Sequence, residues 1–190
     1  MAQLSDTQNA AIADLLPELD RLAVDAMADW KVPGAVLAVV QDGKVVLAKA
    51  YGQRDVEVNL PVTTATRFLI GSITKSFTAT GVALLHNEGR LDWTKPVRDY
   101  IPEFRLHDPV ATERVTIRDL LCHQSGLPRH DWVHLPGDRA PAELLGVMRY
   151  LELSRDIRSA YQYNNLCYNV AGLLIERLSG QSYEAFNAHG

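Results

Sequence analysis

Leu15, Leu19, Leu22, Ala26 and Trp30 recur at intervals of three and four, and this stripe predicts an amphipathic helix over about residues 8–30. Pro33-Gly34 breaks it. The apolar run from Ala35 to Val40 and the shorter one from Val45 to Ala48 then flank Gln41-Asp42-Gly43-Lys44. Two β-rich runs around an Asp-Gly pair predict a β-hairpin, the strongest structural signal in the chain. Asn59 to Thr66 carries turn chemistry and reads as an irregular connection, and Arg67 to Ile70 as a short extended approach to Gly71. From Ser72 the period becomes helical, with Phe77, Val82, Leu84 and Leu85 apolar and Asn87-Glu88-Gly89 as the stop.

Residues 90–160 show no strand alternation. Helical pieces at Thr116 to His123 and Pro141 to Leu151 are separated by loops rich in Pro, Gly and Asp, which predicts an all-α lobe. Tyr168 to Ser179 is helical again, with Val170, Leu174, Ile175 and Leu178 on one stripe and Gly180 as the C-cap. The expected organisation is an α+β fold, an antiparallel sheet flanked by helices plus an all-α lobe. Residues 1–78 would form the N-terminal part of the α/β domain, with the hairpin and the start of the helix after Ser72. Residues 79–165 would form the lobe, and 166–190 a helix leading onward.

Composition narrows the function classes without choosing one. The chain is 47% hydrophobic and 22% charged, as in ordinary globular proteins, and a length of 190 residues suggests one domain or a modest pair. Its net charge of −4 comes with no basic cluster, so a nucleic-acid surface is not expected. No apolar stretch is long enough to span a bilayer. The first thirty residues lack the apolar core of a secretory signal, which favours a cytoplasmic location; a trimmed leader would leave a periplasmic one open. Cys122 and Cys167 form neither a disulfide framework nor a Cys-x-x-Cys pair, and both are expected as buried, reduced thiols.

Chemistry concentrates at Gly71-Ser72-Ile73-Thr74-Lys75-Ser76. Ser72 lies where extended chain becomes helix, and Lys75 lies one turn later on the same face, so a hydroxyl and an amine fall within possible hydrogen-bond reach. A serine becomes a strong nucleophile only when a base takes its proton. The same spacing also suits an N-capping serine followed by a solvated lysine. Tyr163-Asn164-Asn165 follows about ninety residues downstream, and in extended chain Tyr163 and Asn165 point to one side. The phenol could relay protons and the amide could hold a carbonyl or the lysine. Tyr161, Tyr163 and Tyr168 could equally be core aromatics with bonded hydroxyls.

With these residues in place the chain resembles the N-terminal part of the serine β-lactamase-like hydrolases, the superfamily of class C β-lactamases, DD-peptidases, D-aminopeptidases and related esterases. The resemblance rests on Val32-Pro33-Gly34-Ala35, on Arg67 to Ser76, on Ile117 to Pro128 and on Tyr163-Asn164-Asn165, and runs from about Leu15 to Phe186. It implies a β-lactamase/transpeptidase-like fold. It also implies that Ser72 is the acylated nucleophile, Lys75 its coupled proton acceptor, Tyr163 the general base and acid, and Asn165 a partner of substrate and Lys75. His123-Gln124-Ser125-Gly126 resembles a supporting loop, so His123 is expected to be structural, with neither metal nor cofactor bound. Arg129, His130, Asp131 and Trp132 fit either a pocket rim or a plain surface loop.

The family's third motif, a basic residue shortly before a glycine on a strand, has no counterpart before Gly190. By the resemblance that strand supplies one oxyanion-hole amide, and the amide of the nucleophile supplies the other. An isolated two-stranded sheet is marginal, so the expected sheet is incomplete. The expectation is a serine hydrolase acting on a small-molecule or peptide ester, amide or lactam through an acyl-enzyme, with a further C-terminal segment or chain as partner. Residues 1–190 alone would then be nearly inactive and prone to form oligomers. A catalytically silent binding or scaffold protein is the alternative. A lipase-type Gly-x-Ser-x-Gly elbow and a His-Glu-x-x-His metal motif are both absent from the sequence.

Overall fold

The computed structural model describes residues 6–135, 137 and 139–189, the side chains of 6–13 and 189 excepted. Two compact units divide it, Met1–Leu69 and Ile70–Gly190.

The first unit holds helix α1 (Asp6–Trp30), strands β1 (Gly34–Gln41) and β2 (Lys44–Asp55), and a two-residue strand β3 (Leu60–Pro61), in an antiparallel sheet of order β1-β2-β3. The hairpin forms as expected. Gln41 pairs with Lys44, and the two turn residues Asp42 (φ 49°) and Gly43 (φ 74°) are both left-handed, which matches the strand twist. β2 runs seven residues past Ala48, through polar and charged positions that mask its alternation.

The region read as an irregular connection contains β3. Asp55 Oδ1 accepts from the Glu57 and Val58 N–H groups, Asn59 turns left-handed at φ 61°, and the chain returns to pair Leu60 with Asp55. Two residues are too short to show a period.

The buried stripe of α1 also differs from expectation. Leu15 and Trp30 are 52% and 81% exposed, while Leu16, Leu19, Ala23 and Met27 form the half-buried face. Two apolar stripes overlap on this helix, and Asp20 selects between them. Its Oδ1 accepts from Tyr51 Oη at 2.7 Å and meets Lys49 Nζ at 2.5 Å, so the face bearing Asp20 lies on β2. Close approach requires Gly52 at φ 64°, where a Cβ would sit 2.1 Å from the Pro33 carbonyl oxygen.

The second unit is all-helical and contains the main core. A 3₁₀ turn at Gly71–Ile73 leads into α2 (Thr74–Asn87), followed by α3 (Pro109–Arg114), α4 (Ile117–Leu121), α5 (Pro141–Val147), α6 (Asn165–Ser179) and α7 (Tyr183–His189). Ala188 and the His189 backbone close α7, and Gly190 lies outside the described residues. α6 is central, burying Leu166, Cys167, Val170, Ala171, Leu174 and Ile175, the i, i+3/4, i+7/8 positions of one face. Val82 and Leu85 of α2, Ile117 and Leu120 of α4, and Leu144 and Leu145 of α5 pack against it. Gly81 brings α2 in closely, since a Cβ there would lie 2.9 Å from Ile175 Cδ1.

α6 begins three residues earlier than its apolar stripe suggests because the Asn164 side chain caps it, accepting from the Cys167 N–H at 3.0 Å. Cys167 is buried, but Cys122 is exposed at the C-cap of α4, which corrects the expectation of two buried thiols. Burial pushes the Cys167 thiol up to about 11, with the Ser125 hydroxyl at 3.3 Å acting weakly in the opposite direction. No helix among the described residues is long and apolar enough to cross a membrane.

Candidate active site

The second unit brings Ser72, Lys75, Tyr163 and Asn165 together. Ser72 sits in the 3₁₀ turn and caps neither that turn nor α2. Lys75 is the second residue of α2 and, three residues on, donates from Nζ to Ser72 Oγ at 3.2 Å. Ser72 Oγ also shares a short hydrogen bond with Tyr163 Oη. Lys75 Nζ donates a further bond to Asn165 Oδ1 at 2.7 Å and lies 4.7 Å from the centroid of the Tyr163 ring and 5.2 Å from that of Tyr168.

Tyr163 and Asn165 reach this point differently from the extended pair expected. Tyr163 precedes the cap, Asn164 is extended at φ −142°, and Asn165 is the first residue of α6. Asn164 is fully buried and holds the segment down: Nδ2 donates to the Pro128 carbonyl at 2.6 Å, and its backbone N–H donates to His123 Nδ1 at 3.1 Å. Sequence reasoning gave it no part, although an Asn just before a helical run is a cap signal.

His123 supports the same strand of chain. Its carbonyl accepts from the Gln162 N–H at 2.8 Å, and its ring lies 4.6 Å from that of Tyr163. Burial, and then the charge of Lys75, hold its imidazole below the usual histidine range, so the ring is neutral at pH 7 and Nδ1 can accept. Gly126, at φ 85°, lets the loop meet residue 155, where a Cβ would sit 2.3 Å from the Arg155 carbonyl oxygen. Behind the loop Arg158 grips the buried Asp119 through Nε and Nη2 at 2.8–3.1 Å, and its own N–H donates to the Gln124 carbonyl. Neither Asp119 nor Arg158 is prominent in the sequence, because their partnership spans 39 residues.

Electrostatics set Tyr163 apart. Burial alone would raise its hydroxyl, but hydrogen bonds from Lys75 and Ser72, with the charges of Lys75 and Arg129, hold it below the ordinary tyrosine value. Tyr168 goes the other way. Burial raises it, as do neighbouring Cys and Tyr groups, and its hydroxyl donates to the Leu121 carbonyl at 2.9 Å.

The loop after His123 divides in its behaviour. The Arg129 guanidinium carbon lies 5.2 Å from the Tyr163 centroid, and Nε donates to Asp131 Oδ2 at 2.7 Å. Asn165 Nδ2 faces Asp131 Oδ1 at 3.5 Å and His134 Nε2 at 3.1 Å. His130 turns away toward the Glu152 carbonyl, and Trp132 is 86% exposed. Nothing in the spacing distinguishes Asp131 and His134 from loop residues. Beside Lys75 and Asn165, a cleft of about 330 Å³ opens between α2, α6 and α7, with Thr78, Leu173 and Tyr183 in its walls. Among the described residues no group of three His, Cys, Asp or Glu side chains could hold a metal ion.

Comparison with known proteins bears on the family and the fold. A family model described as Beta-lactamase matches residues 19–187. The chain is 37% identical over 161 residues to the unguisins hydrolase ungD' of Aspergillus campestris, covering 80% of this chain and 30% of that protein. Among solved structures it is similar to the octameric penicillin-binding protein homologue from Pyrococcus abyssi (34% identity, TM-score 0.79, 92% of this chain and 41% of that one). It is also similar to a class C beta-lactamase (25% identity, TM-score 0.77, 90% and 46%). The chain spans about a third of the length of the curated relatives it matches. A three-stranded antiparallel sheet with helices, the β-lactamase/transpeptidase fold over part of its length, and hydrolases among its relatives lead to one conclusion: the chain belongs to the beta-lactamase family.

Proposed function

We propose that this chain carries the nucleophile and proton-transfer groups of a serine hydrolase that cleaves an ester, amide or lactam through an acyl-enzyme. The observation that carries the reading is the hydrogen-bonded cluster of Ser72 Oγ, Tyr163 Oη, Lys75 Nζ and Asn165 Oδ1, with Tyr163 made more acidic than an ordinary phenol.

In the proposed reaction Ser72 Oγ attacks the carbonyl carbon while its proton passes to the Tyr163 oxygen, whose anion the adjacent Lys75 favours. The tetrahedral oxyanion collapses, the bond to the leaving group breaks, and Tyr163 returns the proton to that group. An ester on Ser72 remains. Water then attacks this ester with Tyr163 again as base, which releases the acid and restores the serine. Lys75 is coupled to both oxygens and exchanges protons with them, and Asn165 fixes the lysine and offers an amide to the substrate.

The Ser72 amide would donate one bond to the oxyanion. The second donor is assigned to the strand of the family's third motif, which residues 1–190 do not carry, and full activity is proposed to need it. Relatives named as an unguisins hydrolase and a class C beta-lactamase support hydrolysis as the reaction class, and the octameric relative supports self-association. Intact-protein mass spectrometry of the full-length protein after a fluorophosphonate, and separately after penicillin, tests the reading. A covalent adduct with the fluorophosphonate supports a reactive serine, and one with penicillin adds lactams to the substrates. No adduct with either favours a silent binding protein.

A further inference from the structure

We propose that His134 is a positioning residue that locks the Asn165 amide with its oxygen, rather than its nitrogen, toward Lys75. The inference rests on the serine-hydrolase reading and extends it to a residue outside the four-group cluster.

A side-chain amide has an acceptor end and a donor end of nearly equal size, so its orientation is decided by what each end meets. On one side of Asn165 the Lys75 ammonium, which carries only donors, bonds Oδ1 at 2.7 Å. On the other side Nδ2 meets Asp131 Oδ1, an acceptor, at 3.5 Å and His134 Nε2, an acceptor in the tautomer that carries its proton on Nδ1, at 3.1 Å. Reversing the amide would set donor against donor at Lys75 and acceptor against acceptor at Asp131 and His134.

The shorter of the two locking contacts is to His134. For Nε2 to accept, the imidazole must be neutral with its proton on Nδ1. Nδ1 is buried with no partner among the described residues, so the bond to Asn165, not one to the ring's other nitrogen, fixes the ring. The His134 backbone is tethered as well. Its N–H donates to the Asp131 carbonyl at 3.1 Å, and its carbonyl accepts from the Gly137 N–H at 3.0 Å. Asp131 is in turn held by Arg129 at 2.7 Å. Removing the imidazole leaves the 3.5 Å contact to Asp131 as the one acceptor on the Nδ2 side, beside the Lys75 ammonium on the other, to oppose amide reversal, and a reversed amide no longer accepts from Lys75.

The test compares the rate of fluorophosphonate acylation in the full-length protein for His134→Phe, which fills the space without an acceptor, and His134→Gln, whose amide oxygen can stand near the Nε2 position. His134→Phe is expected to slow acylation by about tenfold or more and His134→Gln by less than about threefold, with equal melting temperatures. A second readout is independent of activity. The Asn165 side-chain amide resonances in ¹H–¹⁵N spectra should shift in His134→Phe and hold in His134→Gln. If His134→Phe does not fold, His134→Leu carries the same comparison. Acylation at the wild-type rate in the variant without an acceptor, with unchanged Asn165 resonances, overturns the proposal. Labelling that persists in Ser72→Ala instead overturns the serine-hydrolase reading, and the amide resonances then decide the positioning claim alone.

Discussion

Lys75 Nζ and Asn165 Oδ1 are joined at 2.7 Å across ninety residues of sequence, and the bond ties the first turn of α2 to the first residue of α6. Because α6 is the centre of the core, Lys75 is held against the most buried element of its unit rather than left to solvent. If the ammonium must also exchange a proton with Ser72 and Tyr163, charge alone cannot replace it. Lys75→Arg should therefore lose acylation as severely as Lys75→Ala, by roughly 10²–10⁴, since a guanidinium does not give up its proton at working pH. Stopped-flow or mass-resolved acylation rates check this. Substantial activity in Lys75→Arg would leave the lysine a purely electrostatic role.

Tyr163 supplies a pH prediction. Burial pushes its hydroxyl up, and the hydrogen bonds and charges of Lys75, Ser72 and Arg129 more than reverse that push. Taking away the lysine leaves burial with less opposition. In Lys75→Met the Tyr163 titration, followed by ¹³Cζ NMR of labelled tyrosine, should move to higher pH than in the wild type, and the rising limb of residual acylation should move with it. An unchanged titration would remove Lys75 as the cause.

The Asp119–Arg158 pair predicts a stability effect away from the reacting atoms. Burial raises the Asp119 carboxyl, but the Arg158 guanidinium and the Thr116 N–H and hydroxyl outweigh it and hold the group below the usual carboxylate range. The folded value is thus the lower one. The stabilisation is fully present above the unfolded-state value of about 3.9 and is lost as pH falls through the folded value. Asp119→Asn should cost about 1–2 kcal/mol at neutral pH, because the capping pair with Thr116 is weakened and Arg158, itself 45% exposed, loses its anion. Urea melts between pH 2 and 7 check it, and the variant should lack this part of the acid loss of stability.

Much of this was legible in the sequence, and the reasons are local. The Asp42-Gly43 turn, the stop at Gly89 and the left-handed cap at Gly180 are set by backbone sterics that a few residues declare. Ser72, Lys75, Tyr163 and Asn165 could be named because motif and order point to them, and the structure brings all four within bonding reach. What the sequence hid depends on distant partners. The face of α1 was chosen by Asp20 finding Tyr51, and β3 exists only because Asn59 reverses the chain. Asp131 and His134 look like any polar loop residues until Asn165 is beside them.

The sheet order β1-β2-β3 places β1 at an edge of the sheet formed by the described residues. Such an edge invites pairing with other strands. Residues 1–190 alone should therefore associate in solution, as read by light scattering. On the proposed reading they should also turn over a p-nitrophenyl ester at least roughly 10²-fold more slowly than a longer protein that carries the second oxyanion donor. A monodisperse monomer with full activity would refute both statements.

The most direct measurement of the central claim is fluorophosphonate labelling of the full-length protein followed by peptide mapping, run beside Ser72→Ala. The account predicts a single adduct on the peptide carrying Ser72 and none in the variant, with both proteins equally folded. An adduct of equal yield in Ser72→Ala, or one mapped to another residue, would contradict it.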